Sequence, residues 1–173
     1  MATARLPDTS PVRLFDDGFL KFLPAPLREP RRAWLAIAIG WALSILGSLL
    51  LAALFAALMP QLKGPDFPIK GWPALFALVL FAPFLETLIM AGLIWLFERL
   101  LTTTGAIVAS ALVWGGLHSA QAAGWGLVIW WPFLIFSTLY VVWRQRGFWI
   151  GIGVAAATHA LQNLGPGLLV AFG

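Results

Sequence analysis

Four side chains stand out because of what surrounds them. No charged residue lies between Arg99 and Arg144, yet His118 sits inside that interval in LVWGGLHSAQ. Glu86 interrupts the apolar run LVLFAPFLETLIMAG, and His159 and Asn163 share the stretch THALQN. The i, i+4 spacing of the last two puts them on one face of a helix. A carboxyl, two imidazoles and a carboxamide in apolar surroundings can do several things. They can hydrogen-bond helices to one another, offer two histidines and one carboxylate to a metal, or form part of a proton or solute path. The metal reading lacks an HExxH motif, and Ser119 beside His118 lacks a GxSG-like setting for a serine nucleophile. Gln121 falls near a span end and Gln162 is placed on a different face from His159, so both are read as structural.

The elements that must position these groups follow from composition. With 61% hydrophobic and 10% charged residues, the chain has far less than the roughly one quarter of charged residues that solvates an ordinary domain. It reads as an all-α, polytopic transmembrane helical bundle. There is no cysteine, which excludes disulfides, thiol catalysis and thiolate metal sites. Residues 1–32 are polar and proline-bearing, lack the pattern of a secretory signal, and are expected to be a cytoplasmic arm with a short interfacial helix around FDDGFLKFL. Residues 33–173 form the membrane domain. Spans are predicted at about 33–59, 73–99, 105–123, 125–143 and from 148 onward, the last broken or bent by LGPG. LLVAFG after it is too short to cross alone.

Five spans alternate the loops, so charge can orient them. With the N-terminus inside, nine of the eleven basic residues fall on the inner side and only Lys63 and Lys70 outside. The excess of arginine over lysine and the abundance of alanine, glycine and leucine suggest a bacterial gene, hence a bacterial cytoplasmic (inner) membrane. The positive charge is assigned to topology and anionic lipid, with the bilayer as partner and no nucleic acid. Trp34, Trp72, Trp125, Trp143 and Trp149 fall near predicted span ends, where aromatic anchors are expected.

Depth then groups the polar residues. At about 1.5 Å per residue, Glu86 and His118 each lie roughly 20 Å from the inner end of their spans, and His159 and Asn163 roughly 17 and 22 Å. A carboxylate at mid-bilayer costs about 2.5–3.5 kcal/mol and normally faces protein or a water-filled cavity. The four groups therefore belong to one slab, where Gly115, Gly116 and the small residues of VAAATHA let helices approach closely.

FLETLIMAG, WGGLH and HALQN resemble, in order, the three motifs of the CPBP intramembrane proteases, also called the CAAX-processing or ABI family, which includes Rce1-like endopeptidases. The family pattern is EExxxRG, then an aromatic with histidine four residues on, then HxxxN or HxxxD. Trp114 with His118 matches the second motif, and His159 with Asn163 matches the third. In the first, Glu86 and Gly92 match, while Thr87 stands at the second glutamate and Ala91 at the arginine. The resemblance covers about residues 73–165. It implies a glutamic-type peptide hydrolase without cofactor or metal, in which Glu86 is the general base on a water oriented with His118. His159 and Asn163 would stabilise the oxyanion. The implied substrate is a membrane-anchored protein or peptide precursor. The other readings are a non-catalytic membrane chaperone or immunity-type factor that holds a transmembrane peptide, and a metal-dependent hydrolase on Glu86, His118 and His159. Five spans without a repeated half make a poor transporter.

Overall fold

The computed structural model describes residues 11–62 and 64–173. Five long helices carry the architecture: α1 (Ala33–Leu58), α2 (Gly71–Phe97), α3 (Thr103–Gln121), α4 (Gly126–Trp143) and α5 (Phe148–Phe172). No strand occurs among the described residues. By length and composition α1, α2 and the stretch Gly126–Arg146 are long and apolar enough to cross a membrane. Helices α3 and α5, with 19 and 25 residues, are of comparable length and carry the two histidines.

Contacts between the helix ends show that the helices alternate in direction. Arg144 makes a two-pronged ion pair with Glu98 (2.6 and 2.8 Å), and the Arg146 guanidinium donates to the Pro30 carbonyl. The start of α1, the end of α2 and the α4–α5 junction thus share one end, here the arm end. Trp72 packs on Phe172 with ring centroids 5.2 Å apart, and Leu62 lies against Gly124. The other end, the loop end, therefore gathers the start of α2, the end of α5 and the α3–α4 turn.

Helix α4 is the axis of the bundle, buried throughout from Pro132 to Trp143 and packed on α1, α3 and α5. Two glycines make that packing possible. A Cβ on Gly126 would collide with the Gly115 carbonyl, and one on Gly47 would occupy the Trp131 indole, whose N–H donates to the Leu43 carbonyl at 2.9 Å. Gly115 thus allows the close approach expected of it, whereas Gly116 faces open space.

Two elements depart from expectation. Helix α5 is not broken at LGPG but runs through Pro166 to Phe172. A proline inside a helix removes one ladder donor, and this end of α5 is held by packing: Gly167 lies against Val79 and Phe172 against Trp72. The arm forms two short turns rather than one helix, with Phe19 and Phe22 exposed. Phe19–Phe22 forms one short 3-10 turn and Ala25–Arg28 one helical turn, and Leu20, Leu23 and Leu27 are fully buried in the common core. Gln145 pairs with the backbone of Val12 in both directions at 3.1 Å, closing the arm against the arm end. Residues 1–10 of the arm lie outside the described residues. Among the expected tryptophan anchors, Trp34, Trp72 and Trp149 are exposed, but Trp143 is buried and Trp125 packs inward.

Candidate functional site

Helix α2 positions Glu86 by an irregularity. Its segment Ala77–Phe81 winds as a π-helix, with the Ala82 N–H donating to the Ala77 carbonyl. The Leu78 carbonyl then has no donor within its own helix: residue 82 is already engaged, and residue 83 is proline, which has no N–H. Asn163 Nδ2 fills that vacancy from α5, 3.0 Å from the Leu78 oxygen. Proline, π-turn and carboxamide together lock α2 to α5 about two turns before Glu86.

That lock brings Glu86 Oε2 to 3.6 Å from His159 Nε2. The separation is too long for a direct hydrogen bond and suits a shared water. Glu86 retains 23% of its side-chain exposure, whereas His159 retains 4%. The His159 Nδ1 atom is buried without a partner. Phe136 stacks on the His159 ring (4.5 Å, 21°), and Phe133 meets it edge-on at 5.2 Å.

His118 reaches the same place from α3. Its Nδ1 lies 2.8 Å from the Trp114 carbonyl one turn back. A carbonyl can only accept, so Nδ1 carries the proton and Nε2 is left as an acceptor. Trp125 packs edge-on against the ring at 4.5 Å, and Phe133 sits between the two histidines, 5.7 Å from His118. Trp114 stacks on Phe133 at 4.6 Å, which completes an aromatic wall.

Glu86, His118, His159 and Asn163 all line one cavity of about 1110 Å³. The expected convergence of three helices is therefore present in the geometry. Gln162, expected on a different face from His159, lines the same cavity and donates from Nε2 to Ser48 Oγ at 3.3 Å. Three residues is less than one turn, so the two side chains are neighbours. Ser119 stays outside this group and bonds only weakly to the Ala123 carbonyl, at 3.4 Å. Among the described residues, no three histidine, cysteine, aspartate or glutamate side chains gather as a metal-binding group. The contributions of Phe133, Phe136 and Trp125 were hidden in the sequence, because aromatics are common throughout α4 and nothing marks which of them face a histidine.

No family model, curated protein or solved structure matches this chain.

The two departures from the first motif are accommodated locally. Thr87 is fully buried and its hydroxyl donates to the Pro83 carbonyl at 2.6 Å; Ala91 is also buried. Neither position leaves a buried charge unpaired, which would cost about 3–5 kcal/mol.

Proposed function

We propose that this protein is an intramembrane endopeptidase that cleaves a membrane-anchored protein or peptide with a water activated by Glu86. The observation that carries the reading is the 3.6 Å approach of Glu86 Oε2 to His159 Nε2 in a cavity also lined by His118 and Asn163. The motif resemblance to the CPBP proteases supports it. In the proposed step, Glu86 takes one proton from the water and the oxygen adds to the scissile carbonyl carbon. The C–N bond then breaks as Glu86 returns the proton to the leaving amine. His118 Nε2 accepts a hydrogen bond from the same water and orients it. The second N–H of Asn163, not used on Leu78, and the His159 ring face the developing oxyanion; preorganised donors of this kind are worth about 2.7–4 kcal/mol each in a water-poor site.

Orientation follows the same logic. Arg28, Arg31, Arg32, Arg99, Arg144 and Arg146 cluster at the arm end, which we assign to the cytoplasmic side of a bacterial inner membrane, leaving the cavity mouth toward the outer side. A second reading keeps the cavity but not the chemistry: a non-catalytic holder of transmembrane peptides, favoured by Thr87 and Ala91 in place of a charged pair.

Membrane proteomes of cells carrying the wild-type chain and Glu86→Gln, at equal expression, separate these readings. Proteolysis predicts a precursor that accumulates uncut with Glu86→Gln and again with His118→Ala. Normal processing of every precursor by both variants overturns it and leaves the holder.

A further inference from the structure

Helix α1 carries a small residue at every fourth position: Ala36, Gly40, Ser44, Ser48, Ala52 and Ala56. The first four are buried, and Gly40 shows what they pack on, lying against Leu139 of α4 and Thr158 of α5. Beyond Ser48 the partner disappears. No residue of α1 after Ser48 is buried, and Ala52 and Ala56 line the cavity opposite Leu168, Leu169 and Phe172 of α5. A row of small residues at i±4n is a groove that admits the ridge of another helix. Here its first half is filled and its second half is vacant.

The inner end of the vacant half is marked by an unpaired polar group. Gln162 is only 9% exposed; its Nε2 is held by Ser48, the fourth member of the row, and its Oε1 has no hydrogen-bond partner. A buried acceptor in this position normally finds a donor. From Ser48 to Met59 the groove is roughly 16 Å long, about half of the ~30 Å hydrocarbon core. No lysine or arginine among the described residues lines it, and Glu86 is its one acidic residue, so an anionic lipid headgroup or fatty-acid carboxylate finds no lysine or arginine to pair with.

We propose that the outer halves of α1 and α5 form a docking groove for the membrane-spanning helix of the substrate. The helix lies along Ala52 and Ala56 and offers a backbone N–H to Gln162 where it unwinds beside Glu86. This rests on reading the site as one for a membrane peptide, and it names how that peptide is held. Its α1 wall, with Ala52 and Ala56, lies outside the stretch that carries the motif resemblance.

The test uses the full chain in its own membrane with Glu86→Gln, bearing a photoreactive amino acid at position 52, 56, 53 or 57 in turn. Ala53 and Ala57 are exposed but do not line the cavity, so they report the lipid face. Expected are adducts from 52 and 56, not from 53 and 57, joined to residues inside the apolar span of a different membrane protein identified by mass spectrometry. The pair Ala52→Leu and Ala56→Leu, at two exposed positions, is expected to weaken adduct formation from a photoreactive residue at position 49, where Leu49 lines the same cavity, about tenfold, the change that ~1.4 kcal/mol of docking free energy produces. Adducts to lipid, to a second copy of this chain, from all four positions equally, or from none overturn the groove. If 52 and 56 capture an apolar span while every precursor is still cut with Glu86→Gln, the groove stands and proteolysis fails. If a precursor accumulates but is not captured at 52 and 56, proteolysis stands and the groove fails.

Discussion

Asn163 has two amide hydrogens, and one is engaged with the Leu78 carbonyl that the π-turn and Pro83 leave without a donor. Its residue type thus serves the fold as well as the proposed chemistry. Asn163→Leu should destabilise the protein by about 1–3 kcal/mol, the cost of leaving the part-buried Leu78 carbonyl unpaired, read as a lowered melting temperature in detergent. Glu86→Gln removes no hydrogen bond from the fold and should leave that temperature unchanged, so the two substitutions separate structure from chemistry. His118 carries a prediction of its own. With only two histidines in the chain, nitrogen NMR of labelled protein should show His118 as the neutral tautomer protonated at Nδ1, because the Trp114 carbonyl accepts from that atom. An Nε2-protonated ring would remove the acceptor assigned to the attacking water. The residue types and the i, i+4 spacing of His159 and Asn163 were legible in the sequence. Their partners were not: the Leu78 carbonyl is a backbone group, vacated by a proline five residues further along the chain.

Helix-to-helix spacing is set by few atoms. The Gly126–Gly115 contact between α3 and α4 has no room for a Cβ, while Gly116, one residue away on α3, faces open space. Gly126→Val should therefore force the two helices apart, with a loss of about 1–3 kcal/mol or more and disturbance of His118, which follows Gly115 by three residues on α3. Gly116→Ala should hold or slightly raise stability, since alanine exceeds glycine by up to about 1 kcal/mol in helix propensity. Thermal unfolding of the two variants, side by side, checks the assignment. Sequence reasoning placed the five helices to within a few residues, because a spanning length of apolar side chains and the breaks at Pro60, Gly124 and Gly147 are local signals. It placed a break or a bend at LGPG, and α5 continues unbroken there, since proline and glycine weaken a helix locally and only the contacts of Gly167 and Phe172 with α2 show what compensates.

Across the whole molecule, the arm end is fastened by charge and the loop end by apolar contact. The Arg144 guanidinium, hydrogen-bonded to Glu98, holds the Glu98 carboxyl below its ordinary range, although partial burial opposes the shift. A carboxylate whose folded value is depressed adds stability above its unfolded value of about 4.5 and loses it as the pH falls through the folded one. Melting temperature in detergent should thus drop as pH falls below about 4.5, and the drop should be smaller in Glu98→Gln. The arm is part of the core rather than an appendage, so Leu20→Ala, at a fully buried position, should cost about 2–5 kcal/mol. What the sequence determined by itself was the class of fold, the approximate helices and the four polar residues at common depth, because hydropathy, charge and helical rise act along the chain without reference to its neighbours. Only the tertiary structure decided that Gln162 joins the cavity, that Phe133 and Phe136 wall the histidines, that the arm sends Leu20, Leu23 and Leu27 into the core, and that the small-residue row of α1 is filled to Ser48 and empty beyond it. Those depend on which faces of separate helices meet, and that is settled by packing between residues far apart in the chain.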